Sequence, residues 1–421
     1  MSRSPAQKTF SAIAGTEDGD RPDRAEGRNG LRHIASLSMT KVADGLIDPK
    51  LVLAWLVTAL GAPAVFAGAL VPIREAGALL PQMPLAAVVQ RMSRRKWIWV
   101  LGSAGQGAAA VLIVLSALAL EGQAAGIAIC AALALLAVCR AACSVSYKDI
   151  LGKTVAETRR GAVTGLAGSA SSIGVLVFAG VLILGPGQSR AVIVAAIALA
   201  AAFWGLAALL FSTLEEEKSE KDGGANAAFA VLKEDPALWR FIIVRGLLVS
   251  TALAPPYLVV LSGGGTLNKL GALVLASALA SLVSSYVWGR LADDSSRRVL
   301  MFAGLLGALA MAAAVALWAA GLATHWAAMP LVLFVLMIAY HGVRQGRSTY
   351  LVDFAPEDRR AAYAAVTNTV IGLLLLGAGV LGGGAALIGA EVTLILFAAM
   401  AVAAFFIGRG LPEAEGRGAG K

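Results

Sequence analysis

The sequence predicts an all-α polytopic membrane protein, with twelve transmembrane helices arranged as two pseudo-symmetric six-helix bundles. Three observations predict it. Hydrophobic residues fill 58% of the 421 positions and charged residues only 14%, whereas soluble domains carry about a quarter charged residues. Apolar runs of spanning length recur along the chain, cut by charged, Gly, Pro or Asn punctuation. Short polar motifs at the ends of those runs recur in the same order in the second half.

Residues 1–36 are rich in Arg, Asp, Gly and Ser without a continuous apolar core, which reads as a disordered tail and not as a signal peptide. Two spans fit within 37–91. The later ones fall near 97–119, 124–147, 161–185, 190–211, 239–261, 267–291, 299–320, 327–350, 361–387 and 390–409. The bundles therefore take 37–211 and 239–410, joined by the polar segment 212–238, with a tail at 411–421.

The 35 Lys and Arg against 26 Asp and Glu give a net charge of +9. Most of the basic residues sit on one side, in the tails and in the turns after the even-numbered spans; the opposite side holds only Arg190 and Lys269. That asymmetry predicts both termini in the cytoplasm, as expected of a multi-pass protein of a bacterial inner (plasma) membrane. Trp97, Trp99, Trp239, Trp288, Trp318 and Trp326 lie near span ends, where an aromatic belt belongs. The charge is thus a topology signal, and nucleic acid is not an expected partner. Cys130, Cys139 and Cys143 have no CxxC spacing and the three histidines are scattered, so no metal or other cofactor is expected.

The internal repeat fixes the register of the first two spans. The turn after the second reads Gln90-Arg91-Met-Ser-Arg94-Arg95, and the turn after the eighth reads Gly289-x-Leu-Ala-Asp293-x-x-Ser-Arg297-Arg298. Gln90 aligns with Asp293, and Tyr147 with Tyr350. The same alignment carries the start of the eighth span, near Leu267, back to Ala64. The first span then occupies about 37–60 with Gly61-Ala-Pro63 as its outer turn, which places Asp44, Asp48, Lys50, Arg74 and Glu75 within the membrane.

The Gly289 motif resembles the G-x-L-a-D-r-x-G-r-r signature of the major facilitator superfamily, and the Gln90 stretch is a degenerate copy of it. The 6+6 repeat, the central loop and the same-side termini extend the resemblance over almost the whole chain. It implies that Gln90, Arg91, Arg94, Arg95, Gly289, Asp293, Arg297 and Arg298 form gating motifs. It also implies a substrate site near the midplane, with access alternated by rocking of the two bundles.

Charge inside a span costs about 2.5–3.5 kcal/mol at mid-bilayer and marks function by default. Here it falls on spans 1, 2, 4, 7 and 10, the cavity-lining helices of that fold and a neighbour. Tyr340, Arg344 and Arg347 share one face of span 10, and Arg140 lies near the repeat equivalent of Arg344. These guanidinium groups suit an anionic substrate, because Arg binds carboxylate or phosphate with two parallel hydrogen bonds. The alternative is bracing of the gate through loop carboxylates such as Asp149 and Asp353. Arg245, near the end of span 7, reads as a snorkelling residue.

Asn368 is a further candidate substrate contact, against the favoured reading as an interhelical hydrogen bond. Asp44, Asp48 and Glu75, with Arg74 or Lys50 as partner, are candidates for proton coupling, against a reading as static ion pairs. The serines at 277, 281, 284 and 285 and the glycines at 161, 165 and 168 read as packing stripes. Ala254-Pro-Pro-Tyr257 predicts a kink. No nucleotide-binding loop and no nucleophile–base pair suggest an enzyme. The expectation is a monomeric, proton-linked secondary transporter of a small solute; the alternative is a protein of the same fold serving as an assembly or partner-binding factor.

Overall fold

The computed structural model describes residues 4–14, 22–185, 189–218, 235–263, 266–356 and 360–413, and no strand occurs among them. Span 1 is built from Arg24–Leu46 and Val52–Ala59, and span 2 from Ala64–Leu79 and Gln82–Gln90. Spans 3 to 6 are Lys96–Ala119, Gly122–Thr154, Glu157–Leu184 and Arg190–Ser212. Span 7 consists of Pro236–Leu247, Ser250–Leu253 and Pro255–Leu261. Spans 8 to 12 are Leu267–Asp294, Ser296–Ala319, Ala328–Phe354, Arg360–Ala386 and Ala390–Gly408. Among the described residues, 11 helices are long and apolar enough to cross a membrane; the interrupted span 1 completes the predicted set.

The repeat register is the observed one. Span 2 starts at Ala64, and Gly61 turns the chain before it with a φ of 74°. Only glycine tolerates that backbone without a Cβ penalty.

The expectation of a disordered tail over 1–36 is corrected where the chain is described. Pro5–Ala14 is a helix, and span 1 begins at Arg24 instead of near residue 37. The cause is tertiary. Asp23 caps span 1 by accepting from the Glu26 N–H at 2.6 Å. Glu26 accepts from Arg159 Nη2 at 2.8 Å and Nε at 2.9 Å. Phe10, fully buried, packs with Leu37, Leu151, Val155, Val163 and Ala167, its ring lying over Gly30 where a Cβ would collide. Residues 1–3 and 15–21 lie outside the described residues.

Phe10→Ala is expected to remove about 3–5 kcal/mol of docking energy from this helix. Hydrogen exchange should report it as faster exchange over residues 5–14 with the spans unchanged.

Both first spans of the two halves break near mid-membrane. In span 1 the interruption follows from Pro49, which lacks an N–H. Asp48 Oδ1 accepts from the backbone N–H of Lys50 at 2.7 Å and of Leu51 at 3.0 Å, which restarts the helix. In span 7 the helix loosens after Leu247 and restarts at Pro255 and Pro256, the kink the sequence predicts. Freed backbone groups at such breaks are tolerated only beside a cavity or buried in protein.

One end of the molecule carries both described termini. There Arg28 meets Glu215 at 2.8 Å and Arg297 meets Glu413 at 2.5 Å. Toward the other end the two halves interlock. Gly379 lies against Pro72, Gly383 against Val65, Gly271 against Leu182 and Ile183, and Gly68 against the Tyr257 hydroxyl. Toward the terminal end spans 5 and 8 part. A Cβ at Gly161 or Gly165 would meet nothing within 4 Å, and Ser277 and Ser281 line open space. The packing reading is corrected for Gly168, Ser277 and Ser281, which border a cavity; the Ser285 side chain lies outside the described residues. Ser284 is buried and donates to the Ala280 carbonyl at 2.5 Å, a structural role.

Candidate functional site: a charged cavity between the two halves

The cavity between the halves has a volume of about 540 Å³, with Lys41, Asp44 and Arg140 on one wall and Ser277, Ser281 and Arg344 on the other. It shares Ser281, His341 and Arg344 with a second compartment of about 590 Å³. That compartment runs along Trp288, Arg347 and Ser348 toward the terminal ends of spans 8 and 10. Access is therefore from the terminal end.

Asp44 organises the N-terminal half. It lies in the last turn before the span 1 break and accepts from Arg74 Nη2 of span 2 at 2.8 Å and from Arg140 Nη1 of span 4. One carboxylate thus joins three spans. The bracing of Arg140 by Asp149 is corrected, because Asp149 accepts from Arg95 at 2.5 Å and also pairs with Lys153.

Lys50, on the edge of the same break, reaches into the other half. Its Nζ sits 3.7 Å from the centroid of the Tyr340 ring and the side chain is buried. A desolvated cation–π contact of this kind contributes about 2 kcal/mol. Both residues line the cavity.

Glu75 faces Arg245, Tyr340, Arg344 and Arg347 across a narrow gap of about 30 Å³. Lys50, Arg74, Arg347 and Arg140 are its cationic neighbours, and the Asp48 carboxyl is an acidic one. It forms no hydrogen bond or ion pair with any described residue, and neither do Arg344 and Arg347. Arg245 is buried and donates from Nη2 to Asn368 Oδ1 at 3.0 Å, while its Nε has no partner. The snorkelling reading of Arg245 is corrected: its guanidinium points into the bundle. Asn368 is engaged in that interhelical bond.

The gating motifs stay within their own halves as far as they are described. Gln90 ends span 2 and Arg91 is its C-cap. Arg95 holds Asp149, and its backbone N–H donates to Glu216 Oε1 at 3.0 Å. Arg94 borders a polar cleft with Glu215, Glu216 and Glu217. Arg297 binds Glu413 and donates to the Leu411 carbonyl at 3.0 Å; the Arg298 N–H donates to Ser295 Oγ at 3.2 Å. Gly289 and Asp293 fall within span 8, and their side chains lie outside the described residues.

Several polar anchors escaped the sequence reading. Glu215, Glu216 and Glu26 tie the N-terminal helices to the ends of spans 3, 5 and 6. The Asp23-x-x-Glu26 spacing, a capping signature, carried the signal for Glu26. The hydrogen bond from Arg28 holds the Glu215 carboxyl below the usual carboxylate range. A carboxyl lowered by folding contributes stability at neutral pH that is lost as pH falls through the lowered value, so acidification loosens this strap.

Comparison with known proteins matches this architecture. Three solved structures share the fold. The nucleoside transporter NupG has 14% identity and a TM-score of 0.66, over 91% of this chain and 98% of that one. A POT family transporter in complex with 5-aminolevulinic acid has 13% identity and a TM-score of 0.67, over 95% and 98%. The xylose transporter XylE from E. coli, in an inward open conformation, has 13% identity and a TM-score of 0.61, over 93% and 97%. No curated protein sequence matches. At these identities the structures speak for the fold alone. Sequence evidence of kinship comes separately: the family profile of the Major Facilitator Superfamily matches residues 38–267, from span 1 into the start of span 8. Repeat, motif, twelve-span architecture and profile agree, and the chain belongs to the major facilitator superfamily.

Proposed function

We propose that the protein is a proton-linked secondary active transporter that moves a small anionic solute across a bacterial inner membrane by alternating access. The carrying observation is the cavity between the halves, closed at one end and reached from the other, with Arg344 and Arg347 on its wall and no described carboxylate paired to either. The Lys and Arg bias puts both termini in the cytoplasm, so the cavity is entered from inside the cell. Arg140 lines the site with its counter-ion Asp44, and Lys50 and Tyr340, in contact with each other, line it as well.

Glu75 is the proton carrier in this reading. Asp44 is committed to two arginines and Asp48 to capping, whereas Glu75 faces cations without a fixed bond. The protein works as a monomer, since each half lines the cavity within one chain.

Purified protein in liposomes with an internal pH indicator tests the reading. Addition of a transported anion should move protons with the solute. If no anionic, neutral or cationic solute is taken up or moves protons, the assembly-factor alternative takes its place.

A further inference from the structure

The two halves differ in how one pair of equivalent arginines is neutralised. Arg140 and Arg344 occupy near-equivalent places on spans 4 and 10, and Arg140 has Asp44 as its counter-ion. The repeat equivalent of Asp44 is Leu247, the last residue before the span 7 break. Arg344 therefore lacks the carboxylate that its counterpart owns. Lys41 lines the same cavity from span 1, held by donating from Nζ to the Thr164 carbonyl at 3.2 Å, and Arg344 repels it across the gap. Asp44, the nearest acid to Lys41, is already shared by Arg74 and Arg140.

Like charges facing each other from opposite halves have a mechanical consequence. Closing the terminal end narrows the cavity and expels water, and both changes strengthen the repulsion. An anion between them reverses its sign. Arg344 and Arg347, one turn apart, offer forked donors for an oxyanion. The hydroxyls of Ser277 and Ser281 have no partner among the described residues and face the same space.

Resting on the transport reading above, we infer that the solute is a small dianion that supplies the missing counter-charge between Lys41 and the Arg344–Arg347 face. The empty carrier then closes its terminal end slowly, and exchange of one dianion for another outruns net flux. Ionised Glu75 is the negative charge left to the empty carrier, so the proton travels with the loaded form.

The test uses succinate and glycerol 3-phosphate as probes, with lactate, glycerol and choline as monoanionic, neutral and cationic controls. The first two separate a dicarboxylate from a phosphate ester. At least one dianion should raise the Tm of the purified protein above any shift from the controls. Efflux of that dianion from liposomes should be roughly tenfold faster into medium containing it than into medium without it. Lys41→Gln and Arg344→Gln should weaken the Tm shift and bring the two efflux rates together, because the repulsion that retards the empty form is gone. A merely structural role would slow both rates alike.

The inference is overturned if neither dianion shifts the Tm, or if wild-type efflux is equally fast into both media. Flux of lactate with no response to either dianion would also overturn it, while leaving the anion-transport reading intact. Dianion binding without flux of any solute would overturn the transport reading itself, and the inference that rests on it.

Discussion

Asp44→Asn is expected to lower the stability of the protein in detergent by about 3–5 kcal/mol, the usual cost of removing one partner from a buried charge pair. The Asp44 carboxylate accepts from Arg74 and Arg140 together, and the Arg74 side chain is only 9% exposed. Asparagine would leave that guanidinium buried without its hydrogen-bonded counter-charge, with only the unbonded Glu75 carboxyl as an acidic neighbour. Arg140, at 41% exposure, retains access to water and contributes the smaller part of the loss. A double variant, Asp44→Asn with Arg74→Leu, should recover most of the stability, since it removes the stranded charge with its partner. Thermal unfolding of the wild type and the two variants checks this. A single variant as stable as wild type would mean that Asp44 is not the joint between spans 1, 2 and 4.

The second large effect is on energy coupling. In Glu75→Gln the carboxyl that faces Lys50, Arg74 and Arg347 can no longer exchange a proton. A pH gradient of one unit is worth about a tenfold accumulation for each coupled proton, and the variant should lose that factor entirely. Uptake by the wild type should rise as the outside is acidified, whereas uptake by the variant should not respond. Solute exchange at equal pH should survive, because exchange needs no net proton movement. Uptake measured against imposed pH steps, beside exchange in the same liposomes, separates the two. Unchanged pH-driven accumulation would remove Glu75 from the coupling role and return attention to Asp44 and Asp48.

The sequence carried most of the scaffold. Apolar run lengths located ten spans to within a few residues at nearly every end, because in a membrane length and apolarity are the dominant constraints. The alignment of Gln90 with Asp293 then placed the start of span 2 at Ala64, where it is observed. What escaped were features set by tertiary contact. The polar stretch before residue 37 has no apolar stripe of its own, and it is held by Glu26, Arg159 and two buried rings, Phe10 and His33.

The site was legible by residue type but not by pairing. Intramembrane charge flagged Asp44, Arg74, Glu75, Arg140, Arg344 and Arg347, and the fold brings all of them to or beside one cavity. Which acid serves which base depends on helix rotation, which no spacing rule supplies. Arg245 was misread because distance from a span end says nothing about which way the side chain points. Asn368, one turn from neither terminus of its helix, is what draws it inward.

The interrupted first span also bears on how the protein is made. Asp44, Asp48 and Lys50 each raise the cost of leaving span 1 alone in lipid, by about 2.5–3.5 kcal/mol apiece at the centre of the bilayer. The groups that offset them, Arg74, Arg140 and Tyr340, all leave the ribosome later. Span 1 therefore has no stable resting place in the bilayer when it is first synthesised. It settles only after span 4 has been delivered, and its last partner arrives with span 10. Order of insertion and order of translation part company in this chain, and the first helix read is among the last to be fixed.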